Sequence, residues 1–332
     1  MTGSTTASTA STVERDCVVA VHVGGAKLAA AVVRSDGTIL ARRQVATPVG
    51  TRSSVVNDAL CSVVEHVAAV VPAGRILAVG VGSAGPLDLV AGTISPIHIS
   101  AWRGYGIIAA LQDLIPDRPA FLAGDGHCLA LGEHRYGDAG ASRAMLGIVV
   151  GSGVGGGLVI RGQVFVGPTG NAGHVGHMVV DQDGPSCACG GRGCLEAIAS
   201  GPAMVRWARE HSWAGPDAAA LAADARAGHP AAWEAFALAG RALGIAVVNS
   251  TALVDLDDVV LGGDVAASGE LLLAPLRRSV RELAGLEFVR RVSIRRGRLG
   301  ADASLLGAAA LAFAGSPPAP AMADVVGSPP RR

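Results

Sequence analysis

"VVGSGVGGGLVI" (residues 149–160) is an apolar run, a glycine-rich turn and a second apolar run, and "VHVGGAKLAAAVV" (21–33) has the same grammar. Short apolar runs bounded by glycine read as buried strands. Glycine at the turn lets the backbone approach whatever lies above it. Two such strand–glycine–strand units, each followed by further strand and helix patterns, predict a duplicated α/β architecture with a ligand cleft between its halves.

The surrounding patterns extend both units. "GTILARRQVAT" (37–47) alternates and supplies a third strand, while residues 53–71 repeat their apolar positions at helical spacing. "ILAVGVGSAGPLD" (76–88) is a buried strand ending in a turn, and "PAFLAGD" (119–125) is a strand leading into a helix over about 127–134. The second unit runs as strand, glycine loop, strand, turn and strand over 144–165, then alanine-rich helices between 198 and 252. "DVVLGGDVA" (258–266) and "FVRRVSIRRG" (288–297) read as strands, and "ASLLGAAALAFA" (303–314) as a closing helix. The expected organisation is a polar tail (1–15), an N-terminal lobe (16–123) on which helix 303–314 packs back, a C-terminal lobe (124–302) and a Pro-rich tail (315–332).

The chain of 332 residues balances 27 basic against 27 acidic side chains. No Lys/Arg stripe marks a nucleic-acid surface, so no nucleic-acid partner is expected. The N-terminus lacks the charged start and apolar run of a signal peptide. Every long apolar run is cut by glycine or a charge, so no membrane span is expected and the location reads as cytoplasmic. Cys17, Cys61 and Cys128 lie scattered in apolar segments, as core cysteines do in a reducing compartment.

Cys187, Cys189 and Cys194 are different, clustering in "GNAGHVGHMVVDQDGPSCACGGRGCLE" (170–196). Zinc needs four ligands brought to one point. Cys187 and Cys189 straddle a tight turn, "GGRG" folds the chain back to deliver Cys194, and His177 is the nearest fourth ligand. A Cys3His site is closed and therefore structural, a zinc loop over 177–194 that aims its neighbours and does no chemistry. His174 is then free to face a substrate, with Glu196, two residues past Cys194, positioned by the metal.

"GNAGHVGHM" followed by "CACGGRGCLE" resembles the signature of the ROK family of bacterial sugar kinases and repressors. The resemblance runs from about residue 17 to 314. "HVGGAK" falls at the first phosphate motif and "GSGVGGGLVIRG" at the second. "GSAGPLD" and "SPIHISAWRG" also look like family segments, "LGGDV" stands at the adenosine segment, and "ASLLGAAALA" at the closing helix. It implies a two-lobed, actin-like (ribonuclease H-like) ATPase fold, phosphoryl transfer from ATP with Mg²⁺ to a sugar hydroxyl, and a homodimer. Only sixteen residues precede the first strand, too few for the winged helix-turn-helix of the repressors.

By that resemblance Asp125 is the general base. His98, Gly124, His174, His177 and Glu196 face the sugar. Gly24, Gly25, Ala26, Lys27, Gly151, Ser152, Gly153, Gly155, Gly262 and Gly263 receive the nucleotide. Glycines at 156 and 157 also read as letting backbone N–H groups reach phosphate. Asp125 read alone is also a helix N-cap, and Trp102 reads equally as a sugar platform or as core.

Five positions depart from the family pattern. Its Asp-x-Gly-Gly-Thr is His22-Val23-Gly24-Gly25-Ala26 here; its Asn before the base is Gly124, its sugar-binding Glu is His174, and a sugar-binding Asn is His98. A rebuilt pocket for an amino sugar, acylated sugar or cyclitol would account for His98 and His174, since neutral imidazole both donates and accepts. Loss of the acid and the hydroxyl at 22 and 26 points instead to a sugar-binding regulator without turnover.

Overall fold

The computed structural model describes residues 16–315 apart from 49 and 51. The stretch 1–15 and all of 315–332 but Gly315, both read above as tails, lie outside the described residues. The first sheet holds β1 (Cys17–Val23), β2 (Lys27–Arg34), β3 (Ile39–Ala46), β4 (Ile76–Ser83) and β7 (Ala120–Gly124), in the order β3-β2-β1-β4-β7. A small ribbon, β5 (Leu87–Asp88) with β6 (Thr93–Ile94), follows β4 in the chain. The second sheet holds β8 (Ala144–Val150), β9 (Val154–Ile160), β10 (Gln163–Phe165), β11 (Asp258–Gly262) and β12 (Ser293–Arg296), in the order β10-β9-β8-β11-β12. In both sheets the first three strands are antiparallel neighbours and the last two join in parallel. The topology is therefore the same twice, as the repeated strand–glycine–strand grammar predicts.

Both faces of the first sheet are covered at β1, β2 and β4, so these strands read as nearly unbroken apolar runs, while the edge strand β3 is largely exposed. Val19, Val21 and Val81 pack beneath helices α1 (Ser53–Ala68) and α2 (Ile107–Leu114). Val18, Ala20 and Ala78 pack on the opposite face beneath Leu305, Ala308 and Ala309. Those residues belong to the last of the remaining helices: α3 (Asp125–Tyr136), α4 (Leu195–Ala199), α5 (Gly201–Glu210), α6 (Ala218–Arg226), α7 (Pro230–Val254), α8 (Glu270–Leu283), α9 (Glu287–Arg290) and α10 (Ala303–Ala314).

The segment 288–297 is not one strand: its start belongs to the short helix α9, and pairing with β11 begins only at Ser293. Helix α7 also corrects the expectation that no apolar run is span-length, since its 25 residues are long and apolar enough to cross a membrane. Its face bearing Ala232, Phe236, Leu243 and Val247 is buried among α4, α5, α6 and α8 as the core of the second half.

Helix α3 lies against β8 and β9 of the second sheet, α10 lies against β1 and β4 of the first, and the two helices pack on one another. They meet backbone to backbone. A Cβ on Gly132 would stand 2.3 Å from the Ala303 carbonyl oxygen, and one on Gly307 would stand 1.6 Å from that of Cys128. Gly307→Ala must therefore push two buried helices apart, and overpacking of this kind costs about 3 kcal/mol. Denaturant unfolding should show that loss as a lower midpoint; an unchanged midpoint would mean the contact is soft.

Candidate active site

The two glycine turns face each other. In the first, the Gly24 N–H donates to the Lys27 carbonyl (3.0 Å), and Thr47 donates its Oγ1 to the Gly24 carbonyl (2.7 Å) and its N–H to the Ala26 carbonyl (3.0 Å). In the second, the Gly151 N–H donates to the Gly153 carbonyl at 2.9 Å and the Gly201 N–H to the Gly151 carbonyl at 2.8 Å. A Cβ on Gly25 would stand 3.1 Å from both Ser152 Oγ and His98 Cβ, so the turns close on one another at this point. Lys27 Nζ lies 4.0 Å from Asp264 Oδ1, just past Gly262 and Gly263. Gly263 has φ +95°, and a Cβ there would meet the Val150 carbonyl at 2.4 Å, so glycine is required.

Between the turns runs a cleft of about 360 Å³, in the range of small-molecule sites. Lining it, from both halves of the chain, are His98, Gly124, Asp125, His174, His177 and Glu196, the ten positions from Gly24 to Gly263 expected to receive the nucleotide, and Gly156, but not Gly157. Trp102 does not line it; it is fully buried and stacked on Tyr105 with ring centroids 4.0 Å apart. Gly156 and Gly157 sit inside β9, where added Cβ atoms would meet the Gly173 carbonyl at 2.5 Å and the His127 nitrogen at 2.2 Å. Glycine is required at 157 by α3 packing on the strand, and at 156 by the 173–175 segment.

Asp125 opens α3, where the N-terminal end of the helix dipole favours a carboxylate. It is not the N-cap: Gly124 holds that place, and Asp125 Oδ1 accepts from the next N–H, that of Gly126, at 2.7 Å. Burial raises its pKa from 3.8 to about 6, with Glu196 adding to the shift and the Gly126 N–H opposing it. Gly155 lies so near that a Cβ would stand 2.8 Å from Asp125 Oδ1.

Glu196, in the first turn of α4, accepts the Val154 N–H at 2.9 Å through Oε2 and lies 3.8 Å from His98 Nε2 through Oε1. Burial would raise its pKa, but His98 and that N–H together hold it below the usual value. His174 stacks on His177, with ring centroids 5.1 Å apart.

The ring of His177 turns its Nδ1 toward Cys187 Sγ, 3.6 Å away, and Cys189 and Cys194 hold their sulfurs 3.7 Å apart. All four ligand atoms lie within 4.8 Å of one another. A zinc tetrahedron with metal–sulfur bonds of about 2.3 Å has edges of about 3.8 Å. The donor set and spacing thus suit one tetrahedral cation.

Three further residues shape the cleft. His22 lines the cleft at the C-terminal end of β1. Buried His127 places its Nε2 3.2 Å from the Phe165 carbonyl and its Nδ1 2.8 Å from where a Cβ on Gly124 would be, so His127 occupies the space of a side chain at 124. Asn171 accepts the Leu87 N–H and donates to the Leu87 carbonyl, each at 3.0 Å, joining the two halves at the cleft rim. The sequence signal for Asn171 is its place in "GNAGH"; nothing local marks the other contacts.

The chain has relatives among known proteins. The chain is 30% identical over 312 residues to a glucokinase of Streptomyces coelicolor, covering 89% of this chain and 96% of that protein. It is 34% identical over 294 residues to an N-acetylmannosamine kinase of Citrobacter koseri, covering 89% and 98%. Among solved structures, a ROK family glucokinase from Streptomyces griseus in complex with glucose and AMPPNP superposes with a TM-score of 0.80 at 32% identity, covering 90% of this chain and 99% of that one. The shared fold is the two-lobed, actin-like arrangement described above. The model of the ROK family matches residues 18–314, and with a glucokinase and an N-acetylmannosamine kinase among its relatives the chain belongs to that family.

Proposed function

We propose that the protein transfers the terminal phosphoryl group of ATP to a hydroxyl of a sugar or sugar-like molecule, with Asp125 as the general base. The observation that carries this reading is the carboxylate of Asp125 at the start of α3, opposed to two glycine turns in one cleft. With a pKa of about 6 it is mostly ionised at neutral pH and still basic enough to take a hydroxyl proton. As the substrate oxygen bonds to the γ-phosphorus, its proton passes to Asp125, the bond from that phosphorus to the β-side oxygen breaks, and ADP leaves. Lys27 and the N–H groups of the turns at 24–26 and 151–155 would supply positive ends around the phosphates.

Glu196 and the imidazoles of His98, His174 and His177 would hydrogen-bond the substrate's hydroxyl or N-acyl groups. Zinc at His177, Cys187, Cys189 and Cys194 would pin the loop that carries them. That metal is structural and supplies shape only.

ADP release from Mg²⁺–ATP, measured across hexoses, amino sugars, N-acetyl sugars and cyclitols, tests the reading. Turnover with one class is the expected result. The second reading, a sugar-binding protein without turnover, rests on the imidazole of His22 and the methyl of Ala26 at the phosphate end. It prevails if no substrate releases ADP while calorimetry shows sugar binding and no ATP binding.

A further inference from the structure

The ring of His22 is half-buried at the end of β1, and its Nδ1 is buried with no partner. Its Nε2 makes no hydrogen bond within the described residues and reaches the first glycine turn, where a Cβ on Gly24 would stand 2.7 Å from it. The charged groups around it are Lys27 at the start of β2, Asp264 beyond β11 and Arg42 on β3. Burial, then Lys27 and Arg42, hold the ring neutral with a pKa of about 4, against the pull of Asp264.

A neutral imidazole carries one N–H. An orphaned acceptor is tolerated in a protein interior more often than an orphaned N–H. The buried Nδ1 is therefore the bare nitrogen, and the proton sits on Nε2, facing the turn. Asp264, the carboxylate beside this turn, lies 4.0 Å from the ammonium of Lys27. The phosphate end of the cleft is thus built from donors: a neutral N–H, an ammonium and backbone N–H groups.

We propose that His22 is a phosphate-binding residue whose Nε2–H donates to a phosphate chain lying on the Gly24–Gly25 turn, so that this end grips phosphate oxygens directly and without a divalent cation. The proposal rests on reading that turn as a phosphate site.

Calorimetry on the whole, zinc-loaded protein tests it, with AMPPNP and with inorganic tripolyphosphate, in magnesium-free buffer without chelator and again with Mg²⁺. Both ligands should bind without Mg²⁺. His22→Leu, with an unchanged thermal midpoint, should weaken both by about tenfold or more, the worth of a hydrogen bond to a charged group. His22→Gln, which restores an N–H at similar reach, should return binding to within about threefold of wild type. Binding of AMPPNP alone would name a nucleotide as the source of the phosphate chain, and equal binding would name the chain itself; either supports the proposal if the Leu variant loses it.

Wild-type affinity in the Leu variant overturns it, as does a requirement for Mg²⁺ in the wild type. So does an imidazole ¹⁵N spectrum of the liganded protein with Nε2 unprotonated. Normal ADP release with an unchanged KM for ATP in His22→Leu would sink this proposal and leave the kinase reading standing. Failure of the wild type to bind either ligand under any condition would sink both.

Discussion

Asp125→Asn is expected to abolish turnover and, at the same time, to raise the thermal midpoint at pH 7. A positioned general base contributes about 10²–10⁴-fold, and the amide cannot take the proton. The stability gain follows from the direction of the pKa shift. Burial raises the Asp125 pKa from 3.8 to about 6, so the carboxylate ionises more readily in the unfolded chain. Its contribution to stability therefore falls as pH rises from about 4 through 6, and the wild type carries that cost at neutral pH. Thermal melts of both proteins from pH 4 to 7 should diverge over that window and converge below it. In the wild type, ADP release should rise with pH around an apparent pKa near 6. A variant that keeps a tenth of the activity, or is less stable at pH 7, would strip Asp125 of the role.

Cys194→Ala is expected to empty the cation site and loosen the sugar side of the cleft together. Cys194 is buried, 2% exposed, and stands as N-cap of α4, whose first turn carries Glu196. One lost thiolate leaves three ligands for a site that needs four. Metal analysis should fall from about one zinc per chain to a small fraction of that. The thermal midpoint should drop by about 10 °C, reflecting several kcal/mol of metal-linked folding energy. The Glu196 and His98 side chains should lose their fixed separation, so affinity for the sugar falls with the metal. Wild-type protein purified without chelator and free of zinc would refute the assignment, as would Cys189→Ala with an undiminished metal content.

Much of this was legible in the chain because periodicity and glycine spacing are local properties. The two strand–glycine–strand units, and the cluster of His177 with three cysteines, read correctly from neighbours in sequence. What was not legible depends on contacts between distant segments. The buried pair of Trp102 and Tyr105, the occupation by His127 of the space beside Gly124, and the 84-residue bridge from Asn171 to Leu87 have no local pattern. Gly157 misled for a physical reason: glycine permits close approach of any backbone, and here the approaching backbone is that of α3, not a ligand. Helix α8 hides behind an internal proline, Pro275, and the start of 288–297 curls into a single helical turn before pairing begins.

Asn171 also gives the cleft a fastened side and a free one. Its amide grips both backbone groups of Leu87, as a neighbouring strand would, and so buttons one rim shut with two 3.0 Å bonds. The opposite rim, at Lys27, is joined among the described residues by a 4.0 Å ion pair to the largely exposed Asp264. If the two sheets part, the cheaper motion keeps the Asn171 button closed and swings the Lys27 rim outward, like a book opened from its unbound edge. Traffic through the cleft is then one-sided, and on the proposed function the phosphate-bearing molecule enters at the open edge with its partner held toward the spine.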